Sequence, residues 1–311
     1  MSRLVHRLIV SVGLLVAVSI AGFAILPAMP GDAAEVILME RMDGEIPTRE
    51  ALAAFRADAG FDDIWPVQYL RWLAGVLQGD LGTSFRTDDP VLSDLALALP
   101  RTLMLGTAAA LVSVMLALPL GVAAALRPGT WIDRLAMALA VVGMATPNFW
   151  LALLGMLLFS LTLGWLPVSG HGTWLHLVLP ALVVGTALTG VLARMVRSAL
   201  LEVLGADFIR TARAKGLHPA RVVLAHAFPN AAAPVLTVLG LHLGKMFDSI
   251  VVVEAVFGWP GLGRLLVDAI LARDGPVIQG CLLVIGTATV VIHLLTDIAV
   301  NRVDPRAKGA V

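Results

Sequence analysis

Little in this chain is charged. Asp, Glu, Lys and Arg make up 14% of its 311 residues, hydrophobic residues make up 59%, and the mean hydropathy is +0.90. A water-soluble protein of that length needs far more polar surface to cover itself, so the composition describes a polytopic membrane protein. Cysteine is nearly absent. Cys281 stands alone in the last apolar run, which excludes a disulfide framework and a Cys/His metal cluster and leaves it a small apolar packer. A phosphate-binding loop is also missing. Gly240-Leu-His-Leu-Gly244-Lys245-Met246 has the wrong glycine spacing, lacks Ser or Thr after the lysine, and lies inside an apolar run. There is no HExxH, no Ser-His-Asp arrangement and no pair of carboxylates within a span, which argues against a membrane hydrolase. The chain is therefore expected not to be an enzyme.

A bilayer core takes about 20 mostly apolar residues per helix. Six runs qualify: about Leu8 to Pro27, Thr102 to Leu126, Leu135 to Leu163, Leu175 to Ala193, Pro234 to Val253, and Val277 to Val300. Arg3 and Arg7 precede the first run as they would in a signal peptide. That run is long for a signal, and Pro27 and Pro30 leave no small-x-small cleavage site, so an uncleaved anchor is expected. Pro147 and Pro180 predict kinks.

Charge sets the sidedness. Thirteen acids, from Asp32 to Asp94, face only Arg41, Arg49, Arg56, Arg71 and Arg86 in the segment after the first run. Between Arg194 and Arg221, the bases Arg194, Arg197, Arg210, Arg213, Lys215 and Arg221 face only Glu202 and Asp207. Arg3, Arg7, Arg127, Arg134, Arg302, Arg306 and Lys308 fall on the same side as that second group. The positive-inside rule then predicts cytoplasmic termini, a cytoplasmic Arg127–Arg134 turn and a cytoplasmic loop over about 194–233, all consistent with six crossings. Trp165, Trp174 and Trp259 near outer ends, and Trp131 near an inner one, suit interfacial anchors. In the outer segment, Trp65 to Leu73 is an aromatic amphipathic stretch suited to the membrane surface. This segment reads as a packed cap over the outer mouth, as a docking surface for an external partner, or as both.

The loop between the fourth and fifth runs is the most informative stretch. Ser198 to Lys215 is mostly good helix former, and Gly216 stands where a left-handed terminating residue is wanted, with Arg213 and Lys215 in the last turn. His218-Pro219 restarts a second helix, Ala220 to about Ala227, that ends near Pro229. Two short helices meeting at a corner give a protruding knob, and Ala212 and Ala214 would let another backbone approach it.

This segment resembles the cytoplasmic loop of ABC-transporter permease subunits, whose motif runs Glu-Ala-Ala, three residues, Gly, nine residues, then Ile-x-Leu-Pro. Framed on Gly216, Arg210-Thr211-Ala212 takes the first triplet and His226-Ala227-Phe228-Pro229 the end. Ala212, Gly216 and Pro229 match; Arg210, Thr211, His226 and Phe228 depart from the pattern. Arg-Thr-Ala-Arg-Ala-Lys-Gly looks like the form used by the dipeptide/oligopeptide/nickel branch. Gln78 to Ser84, Leu118 to Ala124, Gly164 to Gly170, Val253 to Gly263 and Asp304-Pro-Arg306 are similar to landmarks of that branch, in the right order along nearly the whole chain.

The resemblance implies an all-α type I importer permease in the bacterial inner membrane. Residues 1–98 would form the first helix and an acidic extracytoplasmic segment, 99–303 the core permease domain, and 304–311 a cytoplasmic tail. It implies a transport subunit that encloses half of a pathway for short peptides, with a nickel chelate or glutathione as alternative cargo. The implied partners are a homologous second permease subunit, two cytoplasmic ATPase subunits, an extracytoplasmic substrate-binding protein and membrane lipid, with no nucleic acid. ATP and Mg would sit on the ATPases, with no cofactor on this chain. The ATPase-coupling set would be Asp207, Arg210, Thr211, Ala212, Arg213, Ala214, Lys215, Gly216, Leu217, His226 and Pro229.

Ionisable residues inside spans are costly and point to function. The fifth run carries His242, Lys245 and Asp248 at three-residue spacing, with Glu254 near its outer end; the sixth carries His293 and Asp297. Lys245 and Asp248 could neutralise each other at i,i+3, or the set could line a pathway for a zwitterion. His171 and His176 have no carboxylate neighbour and read as loop residues rather than a metal site. A stand-alone ion-coupled carrier would need its own coupling-ion site and usually an internal repeat, and neither is found. A membrane anchor without transport is the third reading.

Overall fold

The computed structural model describes residues 2–28, 31–42 and 44–303. Among them the only β-pairing is an isolated bridge between Thr83 and Pro90. The helices are α1 (Ser2–Ala28), α2 (Ala33–Arg41), α3 (Arg49–Asp58), α4 (Trp65–Leu77), α5 (Val91–Leu126), α6 (Trp131–Ala145), α7 (Asn148–Gly155) and α8 (Leu175–Leu204). There follow α9 (Asp207–Ala214), α10 (Pro219–Arg221), α11 (Phe228–Phe257), α12 (Leu262–Leu271) and α13 (Gly275–Val303). Five spans are long and apolar enough to cross a membrane, and the bent pair Trp131–Ala145 with Asn148–Thr162 makes a sixth if it counts as one. The chain is an all-α polytopic membrane protein. Asp304-Pro-Arg306 lies outside the described residues.

The third apolar run is not one straight span. Thr146 precedes a proline and is pushed to extended backbone (ψ 126°), so α6 stops at Ala145 and Pro147 caps α7. The two arms meet at 102°, far more than a proline kink.

By packing, the chain divides into two compact units, Met1–Thr102 with Pro260–Ala288 and Leu103–Trp259 with Thr289–Val311. In the first, Phe23 of α1 meets the rings of Trp65, Tyr69 and Trp72 of α4 at 5.5–6.1 Å between centroids, and Tyr69 Oη shares a 2.9 Å hydrogen bond with Ser19 Oγ. Helices α2 to α4 and the turns beside them carry ion pairs from Arg56 to Asp32 and Asp62, and from Arg71 to Asp63. Asp274, just before α13, is buried. It accepts the Ser84 hydroxyl proton and the backbone N–H groups of Phe85 (3.1 Å) and Arg86 (3.3 Å). A buried carboxylate needs such partners, and it pins the Gln78–Ser84 landmark. Thr102 Oγ1 accepts the Leu262 N–H at 2.7 Å and so satisfies an open donor at the start of α12. Cys281 packs with Val91, Leu95, Leu262 and Ile278 in this unit's apolar core.

In the second unit α8 is the hub. Lipid tails are as apolar as leucine, so helices in a bilayer associate through close packing, and small residues allow it. A Cβ at Gly185 would stand 2.8 Å from the Ala109 carbonyl of α5, and one at Gly190 would overlap the Ala140 carbonyl of α6. From the other side, a Cβ on Gly121 of α5 would come 2.7 Å from the Ala193 carbonyl of α8. Helix α11 packs along α8, and its Gly240-x-x-x-Gly244 pair takes α13. Thr296 occupies the space over Gly240, and the His293 ring lies where a Cβ on Gly244 would come within 2.6 Å. These two glycines serve helix packing. Trp259 is also buried in this unit, within the cluster that includes Phe257, Ile250 and Leu179. It is a core residue, in contrast to the interfacial anchor expected from its position, because the left-handed Gly258 turns the chain back after α11. Trp131, Trp165 and Trp174 are exposed as anchors should be.

Gly240→Leu is expected to overpack the α11–α13 seam by about 3 kcal/mol. Thermal unfolding of the detergent-purified chain checks this; a melting point equal to that of the unsubstituted chain would contradict it.

Candidate functional site

The loop between α8 and α11 differs in two respects from the expected pair of short helices. α8 runs to Leu204, Ala206 is extended (ψ 152°), and α9 is a separate eight-residue helix beginning at Asp207. The second helix does not end at Pro229. From Pro219 the chain stays helical through a π-helical stretch, Val222–Ala227, straight into α11, so that Pro219–Phe257 is one 39-residue helix. In the wide turn the Phe228 N–H reaches back to the Val223 carbonyl, so Pro229 falls within the first turn of the α-helix that follows, where a missing N–H costs least. The knob is therefore a single short helix held between two long ones.

Helix α9 is sharply two-faced. Ile209 and Ala212, three residues apart, are buried against Ala199 and Leu200 of α8 and Val222 and Ala227 after α10. Ala212 thus packs inside the protein's own core, and of the two alanines only Ala214 is open to a partner. Asp207, Arg210, Thr211, Arg213 and Lys215 are exposed, and Phe208 among them is 46% exposed. The sequence alone does not single out Phe208, because it lies four residues before Ala212 and helical spacing by itself would set it beside that buried alanine. An ion pair joins Arg210 to Asp207 at 3.4 Å, fully in solvent and so of little energetic weight.

The end of α9 explains its glycine. The Gly216 N–H bonds the Arg213 carbonyl at 3.0 Å and the Leu217 N–H bonds the Ala212 carbonyl at 3.4 Å, which is a Schellman closure. Gly216 has φ +72° with open space around it, so the left-handed backbone alone requires glycine. Leu217 packs on the core that holds Ala212. His218 Nδ1 then accepts the Ala220 N–H at 3.3 Å, capping the restart. His226 is half-buried and Pro229 exposed, both on the continuous helix.

A brace that the sequence reading missed lies at the same end of this unit. Asp133 at the start of α6 is buried and accepts both Nε (2.6 Å) and Nη2 (2.7 Å) of Arg197 from α8, with a third bond from the Gly129 N–H at 2.9 Å. A bidentate pair fixes geometry as well as adding energy. The sequence shows the two charges but not the helix pairing that joins them.

The intramembrane charges separate. Lys245 and Asp248 are exposed on one stripe of α11 with Leu241 and Val252, and His242 is half-buried at its edge. Among the described residues no ion pair joins Lys245 to Asp248, so mutual neutralisation is not what the geometry shows. Glu254 is turned the other way and fully buried. His176 bonds Thr173 Oγ1 at 2.8 Å, and no group of three or more potential metal ligands exists among the described residues.

The fold is similar to that of solved importer permeases. A chain from inward-facing crystals of the MetNI methionine ABC transporter superimposes with a TM-score of 0.59 at 21% identity, covering 68% of this chain and 97% of that one. An amino acid ABC transporter crystallised with histidines gives 0.52 at 18% identity, over 68% and 94%. These likenesses define the class as an ABC importer permease fold. The model described as "Binding-protein-dependent transport system inner membrane component" matches residues 117–309, and one for the N-terminal part of such membrane components matches residues 1–106. The chain belongs to this family and is a permease subunit, a multi-pass protein of the inner membrane. Among its relatives is the glutathione transport system permease protein GsiC of Salmonella paratyphi A, 39% identical over 98% of both chains. The di/tripeptide transport system permease protein DppB of Pseudomonas aeruginosa is 40% identical over 94% of both.

Asp133→Ala and Arg197→Ala are each expected to destabilise the chain by about 2 kcal/mol. The double variant should lose clearly less than their sum, since the second change removes a charge already stranded. Additive losses in thermal unfolding would show that the pair is not coupled.

Proposed function

We propose that this subunit forms half of the translocation pathway of an importer for short peptides and is driven by two cytoplasmic ATPases that grip α9. The observation that carries the reading is α9 itself: its inner face is locked to the core and its outer face offers Phe208 within a ring of charge. A groove on an ATPase that takes Phe208 can pull this helix without unfolding it, because Ile209, Ala212 and the Gly216 closure hold it from behind. Arg210, Thr211, Arg213, Ala214 and Lys215 would provide the surrounding contacts, Asp207 would start the helix, and His226 and Pro229 would form the shoulder where the lever joins α11.

ATP and Mg belong to the ATPases in this reading, and the chain itself binds no cofactor. The excess of Lys and Arg on the α9 side supports a cytoplasmic position for that loop and both termini, with the acidic segment outside, where a substrate-binding protein would deliver the solute. Peptide cargo is supported by relatives named for glutathione and for di- and tripeptides at nearly equal identity. Both cargoes carry an ammonium and carboxylates. The exposed Lys245–Asp248 stripe would face the homologous second subunit and the pathway between them, and it offers one charge of each sign. Fully buried Glu254 would support the outer end of α11 rather than touch solute.

ATP-dependent peptide uptake by vesicles holding the assembled transporter tests the lever. Phe208→Ala and Gly216→Val should each lower uptake at least about tenfold while the unfolding temperature falls by only a few degrees. Full uptake in both would overturn the coupling role, as would full uptake without nucleotide. Lys245→Ala and Asp248→Ala should each impair uptake more than the Lys245→Gln/Asp248→Asn exchange does; three unimpaired variants would remove the stripe from the pathway.

A further inference from the structure

We propose that the basic cleft between the start of α6 and the second half of α8 is a binding site for the headgroup of an anionic phospholipid. The cleft, of about 410 Å³, is lined by Asp133, Arg134, Met137, Arg194 and Arg197. Three guanidiniums and one carboxylate share it. Asp133 is consumed by Arg197, which leaves Arg134 and Arg194 to set its net charge. Both are exposed, and among the described residues neither forms an ion pair; Arg194 makes only a 3.1 Å contact with the Met144 thioether, a weak acceptor. Two cations held at one cleft repel each other, and a bound anion relieves that repulsion while using donors shaped for phosphate oxygens.

The surroundings select an amphiphile over a soluble anion. On the next turns of α6, Ala138 and Val141 stand four and seven residues on from Arg134, on the same face, and both are exposed, so an apolar strip leads from Arg134 away from the cleft. Trp131, 72% exposed, stands at the head of the same helix, as an interfacial residue does. A phosphate at the arginines with acyl chains along Ala138 and Val141 satisfies both halves of this surface. Basic pockets between helices on the positive side of a membrane protein bind lipid headgroups in this way. The Asp133–Arg197 brace gives the cleft a fixed floor, because it holds α6 and α8 at one spacing. None of this depends on the identity of the cargo or on the role of α9.

The test uses the full-length chain purified with its co-expressed partner subunits, carried in mild detergent and examined by native mass spectrometry with two probes, dioleoylphosphatidylglycerol and dioleoylphosphatidylcholine. The unsubstituted protein should retain phosphatidylglycerol in clear preference. Arg134→Gln and Arg194→Gln should each weaken that retention roughly fivefold, and Arg134→Lys should keep most of it. Should a glutamine variant fail to fold, thermal unfolding of the unsubstituted protein decides: phosphatidylglycerol should stabilise it where phosphatidylcholine and inorganic phosphate at equal concentration do not. Equal retention of the two lipids, or glutamine variants that fold and hold phosphatidylglycerol as well as the unsubstituted chain, would overturn the proposal. So would stabilisation by inorganic phosphate as strong as by the lipid, which would mark a site for soluble anions.

Discussion

Backbone-to-backbone approach around α8 is the constraint on which the membrane part of this protein rests. In water, burial of leucine would hold such helices together at a range of spacings. In lipid that drive is gone, and what remains is dispersion at short range, which fades within an ångström of lost contact. Gly185 and Gly190 on α8 and Gly121 on α5 bring carbonyls of neighbouring helices to where a methyl group would sit. Gly240 and Gly244 of α11 make room instead for the Thr296 and His293 side chains of α13. With those contacts fixed, the longer side chains have little freedom, and the Asp133–Arg197 pair can close at hydrogen-bond distance.

The working end of the second unit follows from the same economy. Only two of the eight residues of α9, Ile209 and Ala212, are buried, yet the helix is held at both flanks by α8 and by the helix that starts at Pro219. Its hydrogen-bonded exit through Arg213, Gly216 and Leu217 leaves no frayed turn to absorb a pull. The outer face owes nothing to the fold, and charged and aromatic residues can stand there at little cost to stability.

Much of this was legible in the residues. Six apolar runs, the Gly216 stop and the Pro219 restart follow from helix length, left-handed backbone and proline chemistry, all local effects. Four features were not. The 102° turn at Thr146-Pro147 exceeds what one proline dictates. The passage of the helix beyond Pro229 depends on a π-helical stretch, and no residue preference announces one. The burial of Trp259 and of Ala212 is set by partners on other helices, and an amphipathic tryptophan or a small alanine reads equally well as surface or as core. Nor was the exposure of Phe208 legible, since it stands one helical turn before the buried Ala212 and is shown to be open only by the packing of α9. The opposed placement of Lys245 and Glu254 on α11 needed only a helical wheel and the knowledge of which side α8 occupies.

The π-helical stretch at Val222–Ala227 has a mechanical consequence. Because it spares the helix a break at Pro229, the element from Pro219 to Phe257 is a single strut of about 58 Å, long enough to cross the bilayer from the foot of the knob to the loop at Gly258. Pro234 removes one backbone hydrogen bond near its foot, yet the helix continues unbroken, so displacement applied at the foot is passed toward the far tip as tilt. The wide turn is the one place along it with a spare residue, where rotation about the long axis can be shed without loss of length.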